Sequence, residues 1–98
     1  MKGNDFNIKE NSWLARIAAW KLGASAVAMV IGKTIHLHNT TSQEFLRNER
    51  WLKHELCHIE QFRQYGTLNF IFLYLLESMR KGYHNNKYEV AAREAENL

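Results

Sequence analysis

The feature that most constrains this 98-residue chain is the segment His54-Glu55-Leu56-Cys57-His58, which matches the pattern H-E-x-x-H. In a helix, His54 and His58 lie one turn apart on the same face, close enough to bind one metal ion. Glu55 is turned by about 100° from His54, beside the coordination position that a water molecule would take. Two imidazoles leave a divalent ion undersaturated, so the chain must fold back and bring a third ligand to this face.

The composition indicates a globular protein with one core. The chain is 46% hydrophobic and 12% aromatic, and its length leaves no room for a second core. The net charge is +3, and basic residues alternate with glutamates between Arg47 and Glu55 instead of forming a basic stripe. We therefore expect no nucleic-acid partner. The single cysteine, Cys57, allows no intramolecular disulfide, which is consistent with a reducing compartment.

The N-terminal part predicts a lead-in followed by a helix. Residues 1–11 are polar and include acidic side chains, so we expect a loose lead-in and no signal peptide. A single domain then spans residues 12–98. Ser12 has the character of an N-cap, and the helix that follows should run to about Leu22 and end at Gly23.

Residues 26–38 have the pattern of a β-hairpin. Two β-prone runs flank the turn Gly32-Lys33, and the second run, residues 34–38, alternates polar with apolar side chains. We expect His36 and His38 on the outward face of an edge strand, where solvated histidines are the simpler interpretation. They would also lie along one side of a cleft.

A long helix is predicted from residue 42 to Tyr65. Thr41 and Glu44 have the spacing of a capping box at its start. Apolar side chains form one broad arc of this helix. A polar stripe borders the arc at i, i+4, i+7 and i+11: His54, His58, Gln61 and Tyr65. A polar stripe at the edge of a core is a suitable place for a site.

The next predicted helix, residues 67–81, is apolar on nearly all its sides. Complete burial of such a helix is hard to achieve in a small domain, so we expect a homo-oligomer or membrane-surface contact through residues 67–81. An exposed patch should include members of one set: Phe70, Phe72, Leu73 and Leu76. The apolar runs at residues 22–32 and 68–76 are too short to span a bilayer. Without a signal peptide, the expected location is cytoplasmic.

Glu89 is the candidate third ligand, on a short last helix that begins near Tyr88 after a turn at residues 82–86. From His58 the chain descends about 12 Å to Gly66, and the next helix returns about 20 Å. The last helix should therefore start near the two histidines. The alternative ligands, in order, are His84, Glu94 and Glu77. Two imidazoles and a carboxylate suit Zn²⁺, which is the expected cofactor.

Residues 34–97 resemble the gluzincin class of zinc metallopeptidases, and especially the short single-domain bacterial minigluzincin type. The resemblance rests on His54–His58 and on Glu89-Val90-Ala91-Ala92-Arg93, which stands in place of the class pattern E-x-x-x-D. It also rests on the preceding strand, which would lie along the cleft, and on Gln61 and the Tyr88-Glu89 pair. It implies that His54, His58 and Glu89 hold the metal and that Glu55 is the general base. Arg93 occupies the position of an Asp that supports a zinc-bound histidine in longer gluzincins.

Further residues are expected to support the ligands or contact a substrate: Gln61, Tyr88, Arg93 and His84. Tyr83 and Tyr88 are also candidate oxyanion donors, although packing is the simpler role for both. The expected fold is α+β, a minimal zincin-like core with three to four helices packed on one side of a short β-hairpin. From the sequence we expect no second lobe that would wall a substrate groove.

The favoured function is that of a zinc-dependent metallopeptidase-like hydrolase acting on a peptide or other amide bond, with a peptide or protein as substrate. The first alternative is a non-catalytic, metal-stabilised interaction module that assembles through its apolar helix. A third interpretation is an effector fragment whose groove is completed by a partner.

Overall fold

The computed structural model describes residues 6–98, which form five helices and a three-stranded sheet. The predicted α+β class is confirmed. In chain order the elements are β1 (Asn7–Lys9), α1 (Trp13–Leu22), β2 (Val27–Ile31), β3 (Thr34–His38), α2 (Ser42–Arg47), α3 (Glu49–Tyr65), α4 (Thr67–Asn85) and α5 (Lys87–Ala95).

The sheet has the order β1-β3-β2, so β3 is its central strand. β2 and β3 form the predicted hairpin, and Gly32 takes the left-handed conformation (φ 66°) that its turn requires. β1 pairs with β3 in parallel, with Ile8 opposite Ile35. The prediction of β3 as an edge strand is therefore wrong. Part of the expected lead-in, residues 7–9, belongs to the sheet, whereas residues 1–5 lie outside the described residues.

Helices pack on both faces of the sheet, not on one side as expected. Successive side chains of a strand point to opposite faces. Ile35 and Leu37 of β3 are fully buried in the main core with Ile59 and Phe62 of α3. Val27 of β2 lies in a smaller cluster with two buried alanines of α1. The strands are therefore sandwiched between α1 and α3.

The predicted helix from residue 42 to Tyr65 is interrupted at Asn48. Thr41 and Glu44 form the predicted capping box, but Asn48 is extended (φ −89°, ψ 93°) and ends α2. Its side chain accepts a hydrogen bond from the backbone N–H of Trp51 at 3.1 Å and so starts α3. The predicted single helix is therefore two helices, α2 and α3, joined at Asn48.

The junction between α4 and α5 is fixed by a fully buried side chain, Asn86. Gly82 (φ 81°, ψ 164°) breaks the helical backbone of α4 near the predicted turn. Asn86 accepts from the N–H of Tyr88 at 2.8 Å and donates to the carbonyl of Tyr74 at 3.1 Å and to Ser78 at 2.8 Å. Because Asn86 caps α5, these bonds position the first turn of that helix.

Helix α4 exposes much of its apolar surface, as the sequence predicts. Phe70 is buried in the main core, but Phe72 and Leu76 are exposed. We call the exposed set the α4 patch, and it comprises Leu68, Phe72, Leu75, Leu76 and Met79. Among residues 6–98, no helix combines the length and the apolar character needed to cross a membrane.

Candidate metal centre

Two histidines from α3 and a glutamate from α5 converge on one point. The Nε2 atoms of His54 and His58 lie 3.1 and 3.3 Å from Oε1 of Glu89. One ligand atom from each of the three residues lies within 4.8 Å of the others. We call this set the ligand triad. The structure thus brings together the three residues that the sequence analysis selected as metal ligands.

The convergence follows from helix geometry. The i, i+4 spacing places the two imidazoles on one face of α3, edge to face, with ring centroids 5.1 Å apart. Helix α5 packs against α3, and Ala92, which is fully buried, leaves room for this close approach. Glu89 lies in the first turn of α5, directly after the Asn86 cap.

The alternative ligands lie outside the triad. His84 and Glu94 are exposed. Glu77 is buried, but its carboxylate accepts from the backbone N–H of Lys87 at 3.2 Å, so it supports the start of α5.

The outer nitrogen of each imidazole is held by an acceptor. His54 Nδ1 lies 2.7 Å from Oε2 of Glu96, and His58 Nδ1 lies 2.8 Å from Oε1 of Gln61. The amide of Gln61 donates to the carbonyl of Tyr88 at 3.2 Å, so its oxygen faces the imidazole. Both Nδ1 atoms therefore carry hydrogen, and both Nε2 atoms are the ones available as ligands.

Glu96 is a residue that the sequence analysis missed. Seven residues after Glu89, it is the C-cap of α5, and its helical backbone places it about two turns further on along the same side. Its other oxygen pairs with Arg50 at 3.1 Å. In the class pattern, a carboxylate that supports a histidine stands where this chain has Arg93. Here Glu96 supplies such a carboxylate, to His54. The i, i+7 spacing from Glu89 was the signal that could have found it.

Tyr74 is the second missed residue. Its hydroxyl donates to Oε2 of Glu89 at 2.5 Å, while Oε1 faces the histidines. The two oxygens of Glu89 therefore have different roles. No sequence signal marks Tyr74, because it lies within the apolar run of α4.

The triad is a strongly coupled electrostatic unit. Burial opposes charge on Glu89, but hydrogen bonds from the two histidines and Tyr74 outweigh it and hold the pKa of that carboxyl far below its usual range. Burial also opposes charge on both histidines, yet hydrogen bonds to Glu89, and to Glu96 for His54, raise the pKa of each imidazole. The site therefore stabilises positive charge beside Glu89.

Glu55 lies at the same site with a carboxylate oxygen that has no hydrogen-bond partner. The side chain is 4% exposed, and its buried Oε1 contacts no donor within the described part of the chain. Burial is the main reason that the pKa of Glu55 rises to about 8, and the charges of Glu89 and Glu96 add to it. A buried carboxylate without a donor fits a site that accommodates a cation or a water molecule beside it.

The triad and Glu55 border an apolar cavity of about 280 Å³. The edge of β2, residues 27–31, forms one side of it. Apolar walls come from α1 and α4: Ala18, Leu22, Phe70, Ile71, Tyr74 and Leu75. The sequence analysis expected β3 to lie along the cleft. The strand in that position is instead β2, because β1 covers the outer edge of β3.

The other expected contacts divide into three groups. Gln61 supports His58, as described above. Tyr88 is buried in the core against Phe70, with ring centroids 4.9 Å apart, and Arg93 donates to the carbonyl of His84 at 2.5 Å, on the surface. Tyr83 does line the cavity, and burial with the nearby carboxylates raises the pKa of its hydroxyl to about 12. Tyr83 therefore keeps its proton at neutral pH.

The histidines of β3 lie outside the cavity. His36 Nδ1 is 2.8 Å from the hydroxyl of Ser12, the N-cap of α1. His36 therefore lies on the face of the sheet that packs against α1. Burial and the charge of Lys9 lower the pKa of His36. Its role is structural, at the start of α1.

Comparison of the chain with known protein families, curated proteins and solved structures gives no significant match. Its chemistry is therefore inferred from its own residues.

Proposed function

We propose that His54, His58 and Glu89 bind one divalent metal ion, with zinc as the expected ion. The observation that carries this proposal is the convergence of three ligand atoms within 4.8 Å, with both outer imidazole nitrogens held by acceptors. When bound, such an ion supplies Lewis acidity that polarises a carbonyl and lowers the pKa of water.

The donor set favours zinc over harder cations. Two imidazoles with one carboxylate form a set that suits a borderline ion, whereas magnesium and calcium prefer oxygen ligands alone. Because Tyr74 hydrogen-bonds Oε2 of Glu89, the carboxylate presents one oxygen to the site. With a single carboxylate oxygen, the protein supplies three coordinating atoms. A further coordination position is then left for a water molecule or substrate.

We propose that the site hydrolyses an amide bond, with Glu55 as the general base. Its carboxylate would take a proton from the attacking water and pass it to the leaving nitrogen. Burial raises the pKa of Glu55 to about 8 when only protein groups surround it. A cation beside Glu55 favours its ionised form, so the loaded site would hold a base at neutral pH.

The cavity supports a peptide as the substrate. Among residues 6–98, β2 pairs with β3 alone, and its residues 27–31 also border the cavity beside the triad. An extended peptide can add to the open edge of a strand through backbone hydrogen bonds. The apolar walls then favour hydrophobic side chains, and the protonated hydroxyl of Tyr83 can donate to a carbonyl oxygen.

The test begins with elemental analysis of protein purified without chelator, where we expect one zinc per chain. A metal content near zero that stays there after dialysis against zinc would overturn the metal site. His54→Ala or His58→Ala should abolish binding, and Glu89→Ala should weaken it strongly. If Glu89→Ala binds zinc as tightly as the parent, a residue other than Glu89 provides the third ligand.

The hydrolytic step is tested by Glu55→Gln in the zinc-loaded protein. This variant should keep its zinc and lose activity on a mixed peptide library, since Glu55 acts on the proton and not on the metal. Glu60→Gln, at an exposed position of the same helix, is the matched control and should retain activity. Equal activity of the parent and Glu55→Gln would refute the role of the base.

A second candidate is a non-catalytic, metal-stabilised interaction module. The α4 patch favours it, because side chains of this size are seldom left in water without a contact. Under this alternative, removing zinc lowers stability, no peptide is cleaved, and Glu55→Gln changes neither zinc content nor binding to a partner.

A further inference from the structure

The cavity beside the triad is lined from both faces of the sheet. Ala18 and Leu22 of α1 form one wall, and α1 packs on the face of the sheet that carries Val27. Ile71 and Leu75 of α4 form another wall. Helix α4 contributes to the main core, which lies on the opposite face, beside α3. A single cavity therefore contacts apolar side chains above and below the sheet.

Such a cavity must pass around an edge of the sheet, since the strands themselves separate the two faces. The edge strands are β1 and β2, and β2 is the strand that lines the cavity, along residues 27–31. Within residues 6–98, β2 pairs with β3 alone. The cavity therefore surrounds the outer edge of β2, which is the side away from β3, with α1 on one side of that edge and α4 on the other.

The register of the hairpin determines which backbone groups lie along this outer edge. A two-residue turn joins Ile31 to Thr34, so this pair closes the hairpin through hydrogen bonds. Hydrogen-bonded and non-hydrogen-bonded pairs alternate along an antiparallel ladder. The N–H and C=O groups of Ala28 and Val30 therefore point away from β3. These two residues offer the backbone groups to which a peptide strand can add.

We infer that the site takes peptide segments in which consecutive side chains are all large and apolar. The inference rests on the proposed function in one respect, which is the addition of a peptide to β2. Successive side chains of a strand point to opposite faces, so an added peptide directs alternate residues towards α1 and the residues between them towards α4. Because both walls are apolar, a polar side chain on either side would lose water without gaining a partner.

This requirement identifies a class of substrate. A strand with one face in water alternates apolar with polar residues, whereas a strand that is covered on both faces is a nearly continuous apolar run. Runs of that kind are buried inside folded proteins. The substrate is therefore an unfolded chain or a free peptide, and not the surface of a folded protein.

The test measures binding without cleavage, with the 98-residue Glu55→Gln protein in the presence of chelator. Two fluorescein-labelled peptides have the same polar ends and differ in five central residues, the length of β2. One has the centre Leu-Val-Leu-Val-Leu, and the other has Leu-Ser-Leu-Ser-Leu. By fluorescence anisotropy, the second should bind about 100-fold more weakly, at about tenfold for each valine lost. A groove with one apolar wall would bind both alike, because the three leucines of either peptide can face that wall.

Variants of the two walls locate each preference. Each central residue of the apolar peptide is replaced in turn by serine. In Leu22→Asn, the loss caused by serine should shrink at the peptide positions that face α1, and in Leu75→Asn at the positions between them. Both leucines are partly exposed, so the variants should fold. Leu46→Asn and Leu68→Asn, at exposed positions that do not line the cavity, are the matched controls and should leave the series unchanged.

Methylation of single backbone nitrogens in the apolar peptide tests the addition of a strand directly. Along an added strand, every second N–H points to β2, and the others point away from it. Methylation should therefore weaken binding at alternate positions only. An equal effect at all positions would mean that the peptide does not bind as a strand, and the inference would be wrong.

Three other outcomes would also overturn the inference. Equal binding of the two peptides would leave a groove with one apolar wall, while strand addition itself would stand. Effects of Leu22→Asn and Leu75→Asn at the same peptide positions would place both walls on one side of the strand. An absence of binding by either peptide would refute strand addition. The zinc content of the triad is measured separately, so none of these results decides the metal site.

Discussion

Replacing Glu55 by Gln in protein stripped of metal with a chelator should reveal how strongly burial opposes the charge of this side chain. The pKa of Glu55 is 4.5 in the unfolded chain and rises to about 8 in the fold, where its Oε1 has no donor within residues 6–98. The folded pKa lies above the unfolded one, so the stability that the protonated side chain provides is lost as the pH rises from about 4.5 to about 8.

The magnitude follows from these two pKa values. Their difference corresponds to about 5 kcal/mol at about 1.4 kcal/mol per pKa unit. Between about pH 5 and about pH 9, the linkage relation gives about 4 kcal/mol of lost stability. Gln does not ionise. The free energy of unfolding of Glu55→Gln should therefore rise by roughly this amount relative to that of the parent as the pH rises across the window. The other groups of the site titrate in both proteins and largely cancel in the difference.

The assay is chemical unfolding of both proteins at several pH values, in the presence of chelator. Glu60→Gln, exposed on the same helix, should show no such trend. Saturating zinc should flatten the trend for Glu55, because a cation favours the ionised carboxylate. A stability difference between parent and Glu55→Gln that is constant with pH, or that shrinks towards pH 9, would refute the reasoning.

Three further predictions concern the groups around the triad. Glu96→Gln should weaken zinc binding about 10- to 100-fold in a chelator competition, because it alters the acceptor that orients His54, whereas Glu94→Gln at an exposed position should not. Tyr74→Phe should lower the metal-free stability by about 1.5–3 kcal/mol, because Glu89 loses a donor to its charged oxygen, and Tyr65→Phe is the control. Unchanged unfolding of Tyr74→Phe would contradict that bond. As the pH is lowered, zinc affinity should begin to fall at a pH that is still above 6.5, the usual pKa of histidine. The reason is that both triad histidines have a raised pKa and must lose a proton to bind zinc. An affinity that is constant down to pH 6 would count against it.

Local signals in the sequence predicted much of the fold. The caps at Ser12 and Gly23 set the bounds of α1, and Thr41 with Glu44 sets the start of α2. These signals work because a cap satisfies backbone groups a few residues away and needs no distant partner. The two histidines and Glu89 converge for similar reasons, since helix periodicity and helix length determine where they lie.

The features that sequence reasoning missed depend on contacts between distant segments. Residues 7–9 include a single strongly β-prone residue, Ile8, and form a strand because β3 offers a partner. An Asn in a helix interior costs little free energy, so Asn48 does not by itself mark a helix end. In the folded arrangement of α2 and α3, its side chain caps α3 instead of continuing α2. Tyr74 reaches Glu89 because α4 packs beside α5. No local sequence pattern indicates this packing.

The arrangement of charge explains why a buried acidic site is tolerated in so small a core. Glu89 belongs to the triad, Glu96 contacts its His54, and Glu55 lies beside it, so three carboxylates lie close to two imidazoles. Three ionised carboxylates would need more positive charge than two imidazolium groups supply. Bound protons compensate in part, because the pKa values of both histidines and of Glu55 are raised and these groups retain protons. A divalent cation in contact with the triad would replace those protons and allow Glu55 to ionise. Metal binding, proton release and the activation of the base would then be one coupled equilibrium, set by the same few side chains.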